Sequence, residues 1–294
     1  MNKITPTRVV NALRRRADRY FIKPFRDISD KRKAAKAAVK TNQYLDKYVE
    51  MVANMCGGFE GKTVLEVGAD QYGKLLTRIA KDQKAGEALG VNLNIEDKEL
   101  LPNCRVYRGD IRKTNFKDNY FDAMVSSAVF EHVHNLDVAL DEMYRILKPG
   151  GVLFSHHGPM WSGSYGHHLW TRYGGKPYTY WEFILPPHCH LLMKPEEVLE
   201  ICLAKTNSPE ASQKIVKYVY ESTDQNQLMY EDYERIIKAS KFEILVMKGY
   251  DVPELSRKYI TKDFIKNLEI LKKKYPGYTN FQFDGMTVLL RKPL

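Results

Sequence analysis

The feature that most restricts this 294-residue chain is an alternation of strand-like and helix-like segments between residues 62 and 155. Lys62-Thr-Val-Leu-Glu-Val-Gly68 reads as a short buried strand entering a glycine turn. Leu75, Leu76 and Ile79 continue it as a helix with Gly73 at its start. Residues 88–93, 105–110 and 119–126 read as further strands, and residues 137–147 as an amphipathic helix. Lys148-Pro-Gly-Gly151 stops that helix, and residues 152–155 form a fifth strand. This alternation predicts an α/β fold built on a doubly wound, mostly parallel sheet. Ligands of such sheets lie across the carboxyl ends of the strands. Residues 66–73, Asn92, Asp110 and residues 126–130 fall at those ends. Glycine at the first turn suits close approach of a ligand to the backbone.

The run from Gly109 to Gly151, GDIRKTNFKDNYFDAMVSSAVFEHVHNLDVALDEMYRILKPGG, is more specific. Its G-D, F-D, E-H-V and L-K-P-G-G landmarks resemble the class I S-adenosylmethionine-dependent methyltransferases, in particular those called methyltransferase type 11. With the glycine turn, the resemblance covers about residues 60–156. It implies a seven-stranded Rossmann-like sheet whose last strand is antiparallel, and S-adenosyl-L-methionine as methyl donor, with S-adenosyl-L-homocysteine as product. By position it implies that Glu66, Gly68 and Gly73 hold the methionine moiety. Asn92, with Leu93, marks the ribose end of the second strand. Asp110 reads the adenine amino group, and Ile111 packs on the ring. Ser127, Val129 and His132 lie in the loop passing under the methionine toward the acceptor.

Two positions depart from the family pattern. The usual G-x-G-x-G is Gly68-Ala69-Asp70-Gln71-Tyr72-Gly73 here, and Asn92 stands where an acid normally binds the ribose hydroxyls. The amide removes a charge-assisted hydrogen bond but still donates and accepts.

Charge is concentrated at one end. Residues 1–40 carry thirteen Lys/Arg against three acids, an excess equal to the whole net charge of +10. The body is balanced, which argues against a nucleic-acid-binding surface. Val9, Val10, Leu13, Ala17, Tyr20 and Phe21 recur at helical spacing, opposite most of the arginines, up to Pro24. Such a helix either packs its stripe on the core or lies on an anionic membrane surface. The chain thus divides into a basic helical arm over residues 1–45 and a methyltransferase-like domain over 46–294. Four cysteines without a CxxC pair, no apolar run long enough to span a bilayer and no secretory signal pattern predict a cytoplasmic protein, with peripheral contact at the inner membrane face as an option.

An insertion expected at about residues 157–228 follows the fifth strand. All eight histidines lie between positions 132 and 190, interleaved with Trp161, Tyr165, Trp170, Tyr178, Tyr180 and Trp181. Aromatic faces separated by polar groups suit a small polar, sugar or glycan-type acceptor. The Gly166-His-His168 and Pro187-His-Cys-His-Leu191 elements resemble type 11 enzymes of glycan and natural-product modification. Three readings of the histidines stay open. His157, His167 or His190 serves as general base toward an alcohol. His188 and His190, with His167 or His168, bind a metal, although no clean ligand spacing is present and no metal is assigned. Or the rings serve packing alone. Residues 204–228 are polar and read as a loop or lid, followed by a helix from Tyr230, a strand from Phe242, a Lys- and Tyr-rich helical insertion over 252–275 and a final strand over 284–290. O-methylation is the expected chemistry. A non-catalytic adapter with a membrane- or partner-binding arm, and an N-methyltransferase, are the alternatives.

Overall fold

The computed structural model describes residues 31–251 and 262–294. The amphipathic stretch 9–21 lies outside the described residues. So do positions 252–261 of the Lys- and Tyr-rich segment.

The main sheet has eight strands rather than seven. Strands β1 (Thr63–Val67), β2 (Glu87–Asn92), β3 (Lys98–Leu101), β4 (Cys104–Arg108), β5 (Phe121–Ser127), β6 (Leu147–His157), β9 (Glu243–Tyr250) and β10 (Gly285–Arg291) form it. Their order is β3-β4-β2-β1-β5-β6-β10-β9. The five strands β4, β2, β1, β5 and β6 run parallel. β10 is antiparallel to both β6 and β9. The added strand is β3, antiparallel to β4 at the sheet edge. Its mixed KELL sequence carries no alternation, so sequence periodicity could not reveal it. Chain order reverses at β1, between β2 and β5, which places the topological switch at the glycine turn.

β1 reads TVLEV, with all but its first residue buried, the pattern of a central parallel strand covered on both faces. One face packs under helix α1 (Lys31–Met55) and the short helix α2 (Leu76–Lys81) through Val49, Val52, Leu76 and Ile79. α1 runs unbroken across position 45, so the basic arm continues into a helix of the domain. The other face packs under α3 (Leu136–Ile146) through Leu136, Leu140 and Met143, at i, i+4 and i+7.

The segment between β6 and β9 carries its own core. A hairpin of β7 (Trp170–Tyr173) and β8 (Lys176–Thr179) is followed by the turn α4 (Cys189–Leu192) and two helices, α5 (Pro195–Thr206) and α6 (Pro209–Glu221). Tyr165, Leu169, Cys189, Val198 and Cys202 pack with Ala211, Ile215 and Val219. The expected polar loop over 204–228 is therefore half helix. Ala211, Ile215 and Val219, four residues apart, make a buried stripe among charged neighbours. The Ser208 side chain caps the helix, accepting from Ala211 N, and Pro209 sits at its first position. Helices α7 (Tyr230–Ala239) and α8 (Lys262–Lys274) complete the described chain. All four cysteines are free and buried.

Candidate functional site

A cavity of about 920 Å³ opens over the carboxyl ends of β1, β2, β4 and β5. Gly68, Asn92, Leu93, Asp110, Ile111, Ser127, Val129 and His132 all line it. Residues up to 64 positions apart in sequence, from Gly68 to His132, are thus brought to one sheet edge because parallel strands all end there. Glu66 and Gly73 do not line the cavity.

The first turn is shaped by its departures from the family pattern. Gly68 has φ +83°, and a Cβ there would stand 2.1 Å from Val129 Cγ2. The glycine thus admits the loop after β5. Gly73 has φ +56° and stands against Leu100. Asp70, in place of the middle glycine, accepts from Tyr72 N (2.8 Å) and Lys74 N (3.1 Å), tying the turn by its side chain. Tyr72 points away, 69% exposed, and does not block the cavity.

Glu66 is buried in β1 with Oε2 lacking a hydrogen-bond partner. Burial, reinforced by Asp70, pushes its carboxyl up to about 8. The Asn92 amide donates to Ala69 O (3.0 Å) and accepts from Asn94 N (3.3 Å). One N–H and one lone pair remain for a ligand. Asp110 is clamped by Arg112, whose Nε and Nη2 lie 3.0 and 2.6 Å from its Oδ2. That partner holds the carboxyl below the usual range. The family resemblance implies an aspartate facing adenine, and the structure adds a neighbouring guanidinium that shares it. Leu93, 52% exposed, and the buried Ile111 supply apolar surfaces.

The other wall comes from the insertion and from α1. Tyr165, Trp170, Tyr180 and Trp181 line it, with His168 and Asp284 between them. Tyr48 of α1 bonds Ser127 through its hydroxyl, and Tyr250 of β9 stacks on His156 at 4.3 Å. Tyr48, Tyr250 and Asp284 carry no local motif, so only folding could reveal them.

The three candidate bases stand outside the cavity lining. His157 is fully buried between Phe130 and Tyr233, with Nδ1 on Ser155 Oγ. His190 donates from Nε2 to Trp161 O (2.7 Å), and His167 Nδ1 accepts from Leu169 N (3.1 Å). Desolvation pushes His157 and His190 down to about 3, and His167 well below its ordinary value. In this arrangement they are neutral packing groups at neutral pH. His188 is buried too, donating from Nε2 to Phe281 O (2.8 Å). The histidines that do face the cavity are His132, His134, His156 and His168.

Residues 65–155 match the family model described as methyltransferase domain. The chain is 30% identical over 129 residues to a sterol 24-C-methyltransferase of Pneumocystis carinii, covering 40% of this chain and 34% of that protein. It is 30% identical over 157 residues to a ubiquinone/menaquinone biosynthesis C-methyltransferase of Chromobacterium violaceum, covering 44% and 63%. The aligned stretches span less than two thirds of these curated relatives. Geranyl diphosphate C-methyltransferase from Streptomyces coelicolor A3(2), solved with Mg2+, geranyl diphosphate and S-adenosyl-L-homocysteine, superposes with a TM-score of 0.51. It is 12% identical, over 92% of this chain and 87% of that one, a likeness of fold.

The cavity residues fit S-adenosyl-L-methionine: Leu93 and Ile111 present apolar surfaces, and Asn92 and Asp110 present polar groups at adjacent strand ends. Outside the lining, Glu66 keeps a buried, unpartnered oxygen in β1.

Proposed function

We propose, from the premise that residues 65–155 are a class I S-adenosylmethionine-dependent methyltransferase domain, that the chain methylates an oxygen of a small polar, hydroxyl-bearing acceptor of sugar or natural-product type. The observation that carries this reading is a single cavity with two unlike walls. One is a strand-end wall suited to a nucleoside. The other is an aromatic wall, Trp170, Tyr180 and Trp181, interrupted by His168 and Asp284.

When bound, the donor supplies an already activated methyl group, so the protein's task is mainly alignment. Asn92 and Asp110 would hold the adenosyl part, with Leu93 and Ile111 against its ring. Ser127 and Val129 shape the passage toward the acceptor. Aromatic faces orient a polyhydroxylated acceptor and keep water from the reacting centre.

Carbon methylation is a second reading, favoured by the C-methyltransferase names of two relatives. Incubation with labelled S-adenosylmethionine and paired panels of glycosidic alcohols and prenylated or quinone-type acceptors separates the two. Label in a base-stable C–CH3 group would overturn the oxygen assignment. S-Adenosylhomocysteine raises the melting temperature on this proposal, and no shift at millimolar ligand would count against the enzyme. The basic arm is proposed as a handle for anionic membrane surfaces. Loss of binding to anionic vesicles on deleting residues 1–30 tests it. No helix among the described residues is long and apolar enough to cross a membrane.

A further inference from the structure

Three side chains from two separate segments converge at the edge of the cavity, which His132 and His168 line and behind which Glu131 is buried. Glu131 and His132 sit on the single 3-10 turn Phe130–His132 that leaves β5, and His168 comes from the insertion, just before β7. One donor atom from each lies within 4.8 Å of the others. Glu131 is fully buried, and while its Oε1 accepts from Gly158 N (3.1 Å), its Oε2 has no partner. Burying a carboxylate oxygen with nothing to bond is costly unless something else occupies the site.

The histidines are prepared for the same role. His132 Nδ1 lies 2.6 Å from the Asp224 carbonyl oxygen. A carbonyl only accepts, so Nδ1 carries the proton and Nε2 presents its lone pair. Fixing one imidazole nitrogen on a backbone carbonyl is how a ligating histidine is usually oriented. Asn226 locks that loop in place, donating from N to Glu131 O (2.8 Å) and from Nδ2 to Phe130 O (2.7 Å). His168 is held in the left-handed region, φ 46°, a conformation that side chains other than glycine adopt only at some cost. Its ring meets His132 edge to face at 4.8 Å and Tyr180 at 5.1 Å.

We propose that Glu131, His132 and His168 bind a divalent transition-metal cation on the acceptor side of the cavity. Two imidazoles and one carboxylate suit zinc, manganese, iron or cobalt, whereas magnesium prefers an all-oxygen shell. Bonds of about 2.0–2.2 Å place tetrahedral donors about 3.4 Å apart, so the set closes by small side-chain movements. Three protein ligands leave a position open toward the cavity, where an acceptor oxygen would bind. The site rests on the methyltransferase reading only for that last role. It differs from the His188-x-His190 pattern suggested by sequence, since neither of those rings lines the cavity and neither joins such a cluster among the described residues.

Cobalt(II) titration of the metal-free full-length protein tests the assignment through visible absorption, which reports coordination directly. One equivalent of Co2+ should give a saturable band. Zn2+ should displace it, and a large excess of Mg2+ should not. His132→Gln and His168→Asn, each checked for folding by circular dichroism, should weaken Co2+ binding at least about tenfold. His134→Ala, in the same loop, should leave it intact. No band with the parent protein, or an unchanged band in both His132→Gln and His168→Asn, overturns the site. S-Adenosylhomocysteine-induced melting shifts are read in parallel. A shift without a band removes the cation site alone, and a band without a shift removes the methyltransferase reading alone.

Discussion

The two walls of the cavity are built by different means. On the donor side, position follows from backbone: Gly68, Asn92 and Asp110 each sit at a strand end, and parallel strands deliver their ends to one edge. On the acceptor side, position follows from packing. Histidines close in sequence go to opposite fates, His168 into the cavity and His167 into the interior, though they are adjacent. Positions read from strand ends therefore stay together on one cavity edge after folding. A site read from residue type alone is re-sorted by the core that forms around it.

The largest expected effect comes from that buried set. His156, His157, His188 and His190 are pushed by burial to about 4, 3, 4 and 3. Unfolded, they protonate below about pH 6.5. Between about pH 4.5 and 6.5 the unfolded state thus binds more protons at these sites, and stability falls as pH falls. Glu66 and Glu131 act oppositely: neutral in the fold up to about pH 8 and 7, their contribution is lost as pH rises above about 4.5. His167 and His168, also lowered by burial, join the other four histidines and together outweigh the two glutamates, so metal-free protein should be most stable at about pH 7. Below that, stability should decline by up to about 5–6 kcal/mol per pH unit, for about four net protons at about 1.4 kcal/mol each. Chemical denaturation across pH checks this. A flat profile would mean the histidines are solvated, on the cavity wall and in the interior alike.

Next is the insertion core. Ile215→Ala should cost about 2–5 kcal/mol of stability, as a fully buried side chain is truncated. S-Adenosylhomocysteine affinity of the folded fraction should stay unchanged, and a parallel loss would show the walls to be coupled. Asp110→Ala should weaken S-adenosylhomocysteine by about 1.5–3 kcal/mol, roughly 10- to 100-fold in Kd, by calorimetry. The smallest effect is expected at Asn92→Ala, about 1 kcal/mol or roughly fivefold, for loss of a neutral hydrogen-bonding group. An Asn92 effect exceeding that of Asp110 would reverse the assignment of which strand end dominates.

Local sequence carried the five parallel strands, the two closing strands and the helix expected over 137–147 and found at Leu136–Ile146, because buried strands and amphipathic helices write their periods into neighbouring residues, while the antiparallel closing followed from the family resemblance. The family resemblance, not periodicity, singled out ten donor-side residues, of which all but Glu66 and Gly73 line the cavity. Periodicity missed β3, whose KELL run has no alternation, and α6, whose stripe Ala211, Ile215 and Val219 is diluted by lysines and glutamates. Glu66 and Gly73 belong beneath the turn rather than on the wall, a distinction that depends on which way a side chain leaves its strand.

What the chain determined by itself is the sheet and where its strands end, since hydrophobic period and turn chemistry are local properties. What only tertiary structure decided is the company each polar group keeps: Arg112 on Asp110, Tyr48 on Ser127, and Glu131 meeting His132 and His168. Those pairings join separate elements, and burial, which holds His157, His188 and His190 neutral, exists only once the elements have packed.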